Sequence, residues 1–307
     1  MYTVLAGGVG AARFLQGLAQ VVDPVEISVI SNVADDVEMF GLHVSPDTDI
    51  VIYSLAGIVN PETGWGIADD SFAVVDGLRR FGYDRWFNLG DRDLATAVHR
   101  TRLLREGRAM HEIVAELTTA FGIAATILPA TNSRVATQIV TAEGEIAFQD
   151  YMVRLGTEPE VSGFRFAGAA EAAPAPGVLD AIGNASTLIL APSNPFVSIG
   201  PILEIAGVRE AIVGSRARRV AISPIVGDAA IKGPAAKMLA SLGHEVSAVG
   251  VAAIYRELVD VMVIDEQDRA LAPRIEALGL GCAITDTMMT SAERKAALAR
   301  ATLAAAG

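Results

Sequence analysis

The sequence predicts an α/β protein with a Rossmann-like parallel sheet, helices on both faces and a small mixed β/α insertion. The first observation is an N-terminal unit of strand, glycine-rich turn, helix and second strand, with the strands at 2–6 and 26–30. The second is that later short apolar segments alternate with helical ones; they lie at 187–190, 219–222 and 261–264. Such segments are typical of buried parallel strands joined by right-handed crossover helices.

A hairpin interrupts this alternation of strand and helix. Two strands are predicted at 135–140 and 146–153, on either side of the polar turn 142–145. An alanine- and proline-rich loop follows at 168–177. We therefore expect a single nucleotide-binding domain over 1–307, with the smaller insertion at about 135–185.

The remaining elements follow from capping residues. Asp69 and Asp70 can cap a helix that runs to Phe81 and stops at Gly82. A short strand is predicted at 86–89, followed by a helix from Gly90 and Asp91, and another helix covers 110–121. The terminal helix is predicted over 291–304, with Ser291 as its cap.

Composition excludes several classes of protein. The net charge of −12 would repel nucleic-acid phosphates, so we expect no nucleic-acid partner. Only Cys282 is present, which rules out an internal disulfide and a cysteine-based zinc site and suits a reducing compartment. No segment is long enough to cross a bilayer, and the N-terminus does not match a signal peptide, so we expect a cytoplasmic protein. Its richness in alanine and leucine leads us to expect a homodimer.

The turn after the first strand is the first candidate site. Gly7, Gly8 and Gly10 let the backbone approach a phosphate, and the helix that follows presents the positive end of its dipole, with Arg13 in its early turns. The spacing matches neither the regular dinucleotide fingerprint nor a Walker loop. On this pattern alone, the alternative that the segment is only a tight turn that binds no ligand therefore stays open.

An acidic loop follows the second strand. Asp35 and Asp36 are adjacent, and Asp47 and Asp49 lie one residue apart after Pro46. Carboxylates in a loop suit Mg²⁺, which takes one or two of them together with phosphate oxygens and water. Each aspartate could instead cap a turn.

Two more loops carry polar groups where strands are predicted to end. The first holds Asn88, Asp91 and Arg92, and Arg92 could contact an anion unless the segment is only a capped helix start. The second runs from Ala191 to Pro201 and displays backbone donors, hydroxyls and an amide on a proline-stiffened chain; its polar residues are Ser193, Asn194 and Ser198, followed by Gly200.

Several segments together carry a resemblance to a known family. They include Gly7-Gly8-Val9-Gly10-Ala11-Ala12-Arg13, Asn32-Val33-Ala34-Asp35-Asp36, Leu89-Gly90-Asp91-Arg92-Asp93, Pro129-Ala130-Thr131 and Pro192-Ser193-Asn194-Pro195. In this order and spacing the chain resembles the 2-phospho-L-lactate transferase family of deazaflavin coenzyme F-420 biosynthesis. The likeness runs from about residue 1 to 300. Pro129-Ala130-Thr131 is usually followed by Asp in the family, whereas this chain has Asn132, which puts a metal role there in doubt.

The resemblance implies a reaction. The donor is a guanosine diphosphate that carries a three-carbon acid, and the acceptor is the ribityl hydroxyl of 7,8-didemethyl-8-hydroxy-5-deazariboflavin. A phosphodiester forms, GMP leaves and Mg²⁺ is required. Whether the acid is lactate, enolpyruvate or glycerate stays open.

The resemblance also implies roles for residues at the matching positions. The metal ligands and catalytic residues would be Asp35, Asp36 and Asp49. The nucleotide would be held by Gly7, Gly8, Gly10, Arg13, Ser193, Asn194, Ser198 and Gly200. The substrate would contact Asp47, Asn88, Asp91, Arg92 and Thr131.

Two other functions compete with this interpretation. Uridine-sugar-binding regulatory proteins share the N-terminal glycines and the aspartate pair, but the Gly90-Asp91-Arg92-Asp93 segment favours a transferase. A nicotinamide-dependent oxidoreductase would need an acidic residue near the end of the second strand, where Asn32 lies instead.

Overall fold

The computed structural model describes residues 1–84, 86–227, 229–230 and 233–307. The strands that it assigns in these ranges are β1 (Tyr2–Ala6), β2 (Ile27–Ser31), β3 (Val37–Met39), β4 (Leu42–Val44), β5 (Thr126–Pro129), β6 (Ala136–Thr141), β7 (Gly144–Ala147), β8 (Gly163–Ala167), β9 (Thr187–Leu190), β10 (Arg218–Ile222), β11 (Ile225–Val226), β12 (Ala229–Ala230), β13 (Val261–Asp265) and β14 (Gly281–Thr285).

The helices alternate with these strands along most of the chain. They are α1 (Gly8–Leu18), α2 (Pro46–Leu55), α3 (Ala73–Leu78), α4 (Asp91–Arg105), α5 (Met110–Ala120), α6 (Val178–Gly183), α7 (Gly200–Leu203), α8 (Val208–Gly214), α9 (Ala235–Ser241), α10 (Ala248–Tyr255), α11 (Ala272–Glu276) and α12 (Ala292–Ala306). No helix in the described ranges has both the length and the hydropathy needed to span a bilayer.

Seven parallel strands form the main sheet, in the order β14-β13-β10-β9-β1-β2-β5. The chain starts in the middle at β1 and builds outward through β2 to β5. It then returns to β9, beside β1, and builds in the opposite direction to β14. The topological switch point therefore lies between β1 and β9, and ligands of open α/β sheets bind beyond the carboxyl ends of strands at such a point.

Helices cover both faces of this sheet, as the sequence predicts, because successive strand residues point to opposite sides. On one face Val4 and Ala6 pack against α1, α2, α5 and α12. On the other face Leu5 belongs to an apolar cluster that includes residues of α6, α8, α10 and α11. Each fully buried Leu, Ile or Val contributes roughly 1.5–3 kcal/mol, so the two layers together stabilise the site's scaffold.

The insertion forms a second sheet of three antiparallel strands, β7-β6-β8. Its hairpin is shorter than predicted: the strand expected over 146–153 ends at Ala147, and Asp150–Arg154 forms one turn of π-helix. The reason is packing, because Tyr151 is fully buried in a cluster with Ile139 and Val161, which an extended strand would not allow.

The strand predicted at 86–89 is wrong, because these residues form no strand. Trp86, Phe87 and Leu89 instead pack into a small cluster with Val75 and Leu94. Both edge strands of the main sheet, β5 and β14, were not predicted from the sequence, since four or five half-apolar residues give little periodicity. The terminal helix and its Ser291 cap are confirmed, with the Ser291 hydroxyl accepting a 3.3 Å hydrogen bond from the Arg294 amide.

The crossing of α1 and α12 depends on Gly17. A Cβ at this position would lie 2.2 Å from the Lys295 carbonyl oxygen, so we expect Gly17→Ala to lower the free energy of unfolding by about 1–3 kcal/mol. Gly77→Ala is the control, because a Cβ there meets nothing within 4 Å; it should raise that free energy by about 0.4–1 kcal/mol. Urea unfolding followed by circular dichroism measures both, and equal stabilities would contradict the close packing.

Candidate functional site

A cavity of about 380 Å³ lies at the switch point, and we call it the switch-point cavity. The loops after β1, β2, β9 and β10 all contribute to it, and the insertion closes one side. The described residues that line it are Gly7–Gly10, Arg13, Asp35, Asp47, Trp65, Phe148, Gln149, Met152, Val153, Pro192–Asn194, Val197, Ser198, Pro224, Gly233, Pro234, Thr287 and Met289. One part of its wall is polar and another is apolar.

The glycine-rich turn forms the polar part and starts α1. Gly7 is extended and is followed by Gly8 in the left-handed region, at φ +70°, where a side chain would be strained. The Gly8 amide donates a 2.9 Å hydrogen bond to Asp47 Oδ1. The amides of Val9 and Gly10 also belong to the first helical turn, where no intrahelical carbonyl is available to them.

Two loops meet across the switch point. A Cβ on Gly10 would lie 2.0 Å from the Pro192 carbonyl oxygen, so this position needs glycine. The Ser193 hydroxyl donates a 2.8 Å hydrogen bond to the Gly7 carbonyl. These contacts hold the loop after β9 directly against the loop after β1.

Two carboxylates line the same cavity. Asp47, in the first turn of α2, accepts hydrogen bonds from the Gly8 amide and, at 2.9 Å, from Asn32 Nδ2. Burial raises the pKa of Asp47 to about 6, although these two hydrogen bonds oppose the shift. Burial raises the pKa of Asp35 well above its usual value, and the nearby Asp47 charge adds to the shift. Asp35 Oδ1 is buried and has no hydrogen-bond partner among the described residues.

Asp36 faces another space, a side cavity of about 240 Å³ lined by residues that include Val33, His43, Thr131 and Arg134. Its Oδ2 accepts a hydrogen bond from the Ser45 hydroxyl and contacts His43 Nε2, each at 2.8 Å. Its Oδ1 is buried without a hydrogen-bond partner in the described part of the chain. The adjacent carboxylates Asp35 and Asp36 thus line two different cavities.

Asp49 forms an ion pair with the fully buried Arg100 of α4. Arg100 Nη1 donates a 3.1 Å hydrogen bond to Asp49 Oδ2, and Arg100 Nη2 bonds to Oδ1. Burial opposes the charge on Arg100, but the Asp49 carboxylate outweighs it and raises the pKa of the guanidinium. In the described ranges, no three His, Cys, Asp or Glu side chains form a metal-binding group. The structure therefore does not bring Asp35, Asp36 and Asp49 together as one ligand set.

The segment with Asn88, Asp91 and Arg92 lies outside both cavities. Asp91 accepts hydrogen bonds from the Ala73 and Val74 amides, each at 3.0 Å, and so caps α3. In return Asp70 accepts from the Arg92 amide at the start of α4, at 3.0 Å. The two helices cap each other, and Gly90 is required because a Cβ there would lie 2.1 Å from Asp70 Oδ2.

In the loop after β9, the side chains of Ser193 and Asn194 form hydrogen bonds with backbone groups. Asn194 Oδ1 accepts a 2.9 Å hydrogen bond from the Phe196 amide. This side chain was predicted to be displayed to a ligand, but here it stabilises the conformation of its own loop. Ser198 lines the switch-point cavity, whereas Gly200 starts α7 and is not among its lining residues. Thr131 donates a 2.6 Å hydrogen bond to the Ala173 carbonyl beside the side cavity.

Several residues of the switch-point cavity were not predicted from the sequence. The insertion supplies Phe148, Gln149 and Met152, and Gln149 Nε2 donates a 3.1 Å hydrogen bond to the Asp35 carbonyl. Trp65 comes from the loop between α2 and α3. The sequence signal that could have identified it is the Gly64-Trp65-Gly66 triplet, since two flanking glycines favour a loop over a packed helix or strand.

Comparison with known proteins identifies the family. The model of 2-phospho-L-lactate transferase CofD matches residues 2–294. The chain belongs to this family. It is similar to the phosphoenolpyruvate transferase of Streptomyces griseus subsp. griseus, with 43% identity over 98% of this chain and 96% of the relative. It is also similar to the 2-phospho-L-lactate transferase of Methanosarcina mazei, with 38% identity over 96% of this chain and 97% of the relative. The family member described here is therefore a transferase enzyme.

A solved structure supports the fold. A crystal structure of a UPF0052 family protein from Bacillus halodurans superposes with a TM-score of 0.67, covering 98% of each chain at 18% identity. At this identity the likeness concerns the fold alone, and it agrees with the helix-covered parallel sheet.

The Asp49–Arg100 pair gives a stability prediction. Arg100→Met leaves a buried carboxylate unpaired, so we expect the free energy of unfolding at pH 7 to fall by about 3–5 kcal/mol. Adding Asp49→Asn should recover much of that loss, because the uncompensated charge is removed. Arg102→Met on the same helix is the control, since its exposed pair with Glu106 is screened by solvent and should contribute little to stability. Equal urea-unfolding midpoints for Arg100→Met and Arg102→Met would contradict a structural ion pair.

Proposed function

We propose that this transferase moves a phospho-linked three-carbon acid from a guanosine diphosphate donor to the ribityl hydroxyl of 7,8-didemethyl-8-hydroxy-5-deazariboflavin. The hydroxyl oxygen forms a bond to the acid-bearing phosphorus, the bond from that phosphorus to the GMP oxygen breaks, and GMP leaves. The observation that carries the proposal is the glycine-rich first turn of α1 at the switch point, with Asp35 and Asp47 beside it in one cavity. Phosphoryl transfer depends mostly on positioning and on neutralising charge, which these groups can provide.

The first turn of α1 supports binding of the donor's diphosphate. Its amides and the positive end of the helix dipole attract phosphate oxygens, and Arg13 lines the same wall. A Cβ added to Gly8 would meet nothing within 4 Å, so the backbone at this residue is open to a ligand. Local geometry thus favours an anion although the whole chain carries a net charge of −12.

Mg²⁺ fits the carboxylates of the β2 loop. Asp35 Oδ1 and Asp36 Oδ1 are buried oxygens without hydrogen-bond partners among the described residues, and a hard dication prefers such donors. We propose that Asp35 would hold the ion in the switch-point cavity, where donor phosphate oxygens and water would complete its shell as Mg²⁺ sites usually require. Asp36 faces the side cavity and would not contact this ion directly. When bound, the ion would neutralise charge on the diphosphate. Asp49 is the third ligand implied by the family resemblance, but here it is engaged by Arg100.

A carboxylate of the switch-point cavity can accept the proton of the attacking hydroxyl. Asp47 is suited to this role because its pKa of about 6 is closer to neutrality than that of an ordinary aspartate. The relatives are named for two different acids, phosphoenolpyruvate and 2-phospho-L-lactate. The proposal therefore covers either acid.

The direct test incubates the protein with the deazaflavin alcohol, Mg²⁺ and each synthetic guanosine donor in turn. We expect a phosphodiester of the deazaflavin and an equal amount of GMP, both measured by mass spectrometry. The lactyl and enolpyruvyl donors should differ in rate, because pocket contacts discriminate between them. No product from any donor, together with thermal stabilisation by UDP-sugars alone, would instead support the uridine-sugar-binding function.

Removing the Asp35 charge should weaken metal binding. We expect Asp35→Asn to lower the affinity for Mn²⁺, used as a probe for Mg²⁺ in the presence of GDP, by at least tenfold, because one ligand loses its negative charge. Glu143→Gln at the exposed β6–β7 turn makes the same charge change away from the cavity and serves as the control. Electron paramagnetic resonance measures free Mn²⁺, and equal affinities in both variants would remove Asp35 from the metal site.

A further inference from the structure

We propose that Trp65 is a stacking platform for a flat heterocycle that enters the switch-point cavity. This inference rests on the transferase function proposed above, in which both substrates carry such a ring: guanine in the donor and the deazaflavin in the acceptor. Trp65 lines the cavity and leaves 41% of its surface exposed. A tryptophan face that is open inside a ligand cavity offers a large apolar area that a planar ring can cover.

The loop that carries Trp65 is held by local hydrogen bonds. Val59 and Ile67 form an antiparallel bridge, and the Asn60 amide donates to the Gly66 carbonyl at 3.0 Å. The Thr63 hydroxyl donates a 2.6 Å hydrogen bond to the Trp65 carbonyl. The tryptophan thus lies in a short closed loop, two residues before the bridge residue Ile67, where hydrogen bonds define the backbone.

Gly64 and Gly66 allow this loop to pack closely between α1 and α4. Gly64 and Gly66 both have left-handed backbones, at φ +74° and +70°. A Cβ at position 64 would lie 3.1 Å from Val9 Cγ1 and 3.2 Å from Arg13 Nη2, and one at position 66 would lie 3.5 Å from Asp93 Oδ2. The loop therefore packs between α1 and α4, and Trp65 is fixed beside the turn that we assign to the diphosphate.

The remaining apolar lining of the cavity suits a ring rather than a chain of hydroxyls. Phe148, Met152 and Val153 come from the insertion, and Met289 comes from the segment before α12. Methionine sulfur and aromatic carbon both pack favourably on π-systems. One cavity thus combines an anion-binding turn with an aromatic and thioether wall, which matches a ligand that joins phosphate to a planar heterocycle.

Intrinsic fluorescence gives a direct test, because the chain has two tryptophans, Trp65 and Trp86. In a Trp86→Phe background, Trp65 is the only tryptophan and reports on its own surroundings. We expect GDP or the deazaflavin alcohol, each with Mg²⁺, to change its emission with saturation, and inorganic pyrophosphate with Mg²⁺ to leave it nearly unchanged. The compound that changes the emission identifies which ring stacks. An equal change with pyrophosphate would overturn the proposal.

Binding measured by calorimetry separates stacking from a purely structural role. We expect Trp65→Leu to weaken binding of the ring-bearing compound about 5- to 150-fold and to leave pyrophosphate affinity unchanged, whereas Trp65→Phe should retain most of the affinity. If Trp65→Leu binds GDP and the deazaflavin alcohol as tightly as the parent protein, the stacking proposal is wrong while the transferase function stands. If the parent protein binds neither compound, the proposed function fails and the stacking proposal fails with it.

Discussion

The contact between the loops after β1 and β9 is the constraint on which the site depends. These strands are neighbours in the sheet although their first residues, Tyr2 and Thr187, are 185 positions apart, so their carboxyl ends open one crevice. Gly10 approaches the Pro192 carbonyl so closely that no side chain fits, and Ser193 bonds to the Gly7 carbonyl. If the loops moved apart, the helix amides and the β9 loop would no longer line the same cavity.

An acidic protein that binds a diphosphate needs its negative charges to be controlled locally. The Asp47 carboxylate accepts hydrogen bonds from the Gly8 backbone amide and the Asn32 side-chain amide. Burial raises its pKa and so favours the protonated form. Asp49 is neutralised by Arg100, which ties α2 to α4 in the interior. What remains for a cation in the switch-point cavity is Asp35 Oδ1, which has no hydrogen-bond partner among the described residues. The four aspartates that look alike in the sequence therefore have different electrostatic surroundings.

The sequence was sufficient for the five inner strands of the parallel sheet and for most residues of the polar wall. Gly7, Arg13, Asp35 and Ser198 all line the switch-point cavity because each follows a central strand, and parallel strands bring such residues to one edge. The sequence was not sufficient to assign the role of Asp49. A carboxylate that binds a metal and a carboxylate that pairs with a buried arginine have the same local sequence pattern. Arg100 lies 51 positions away, and only tertiary packing reveals its partner.

The same reasoning explains why the apolar wall was missed. Phe148 and Met152 lie where the chain was expected to be extended, and the π-helical turn at Asp150–Arg154 changes which side chains point toward the sheet. Side chains of a helical turn do not alternate between two faces as those of a strand do, so a strand pattern assigns them to the wrong sides. The insertion is thus more than an addition to the sheet, since its turn supplies part of the wall of the cavity that Trp65 also lines. Side-chain size in this apolar wall can therefore change without disturbing the strand ends that position the polar wall.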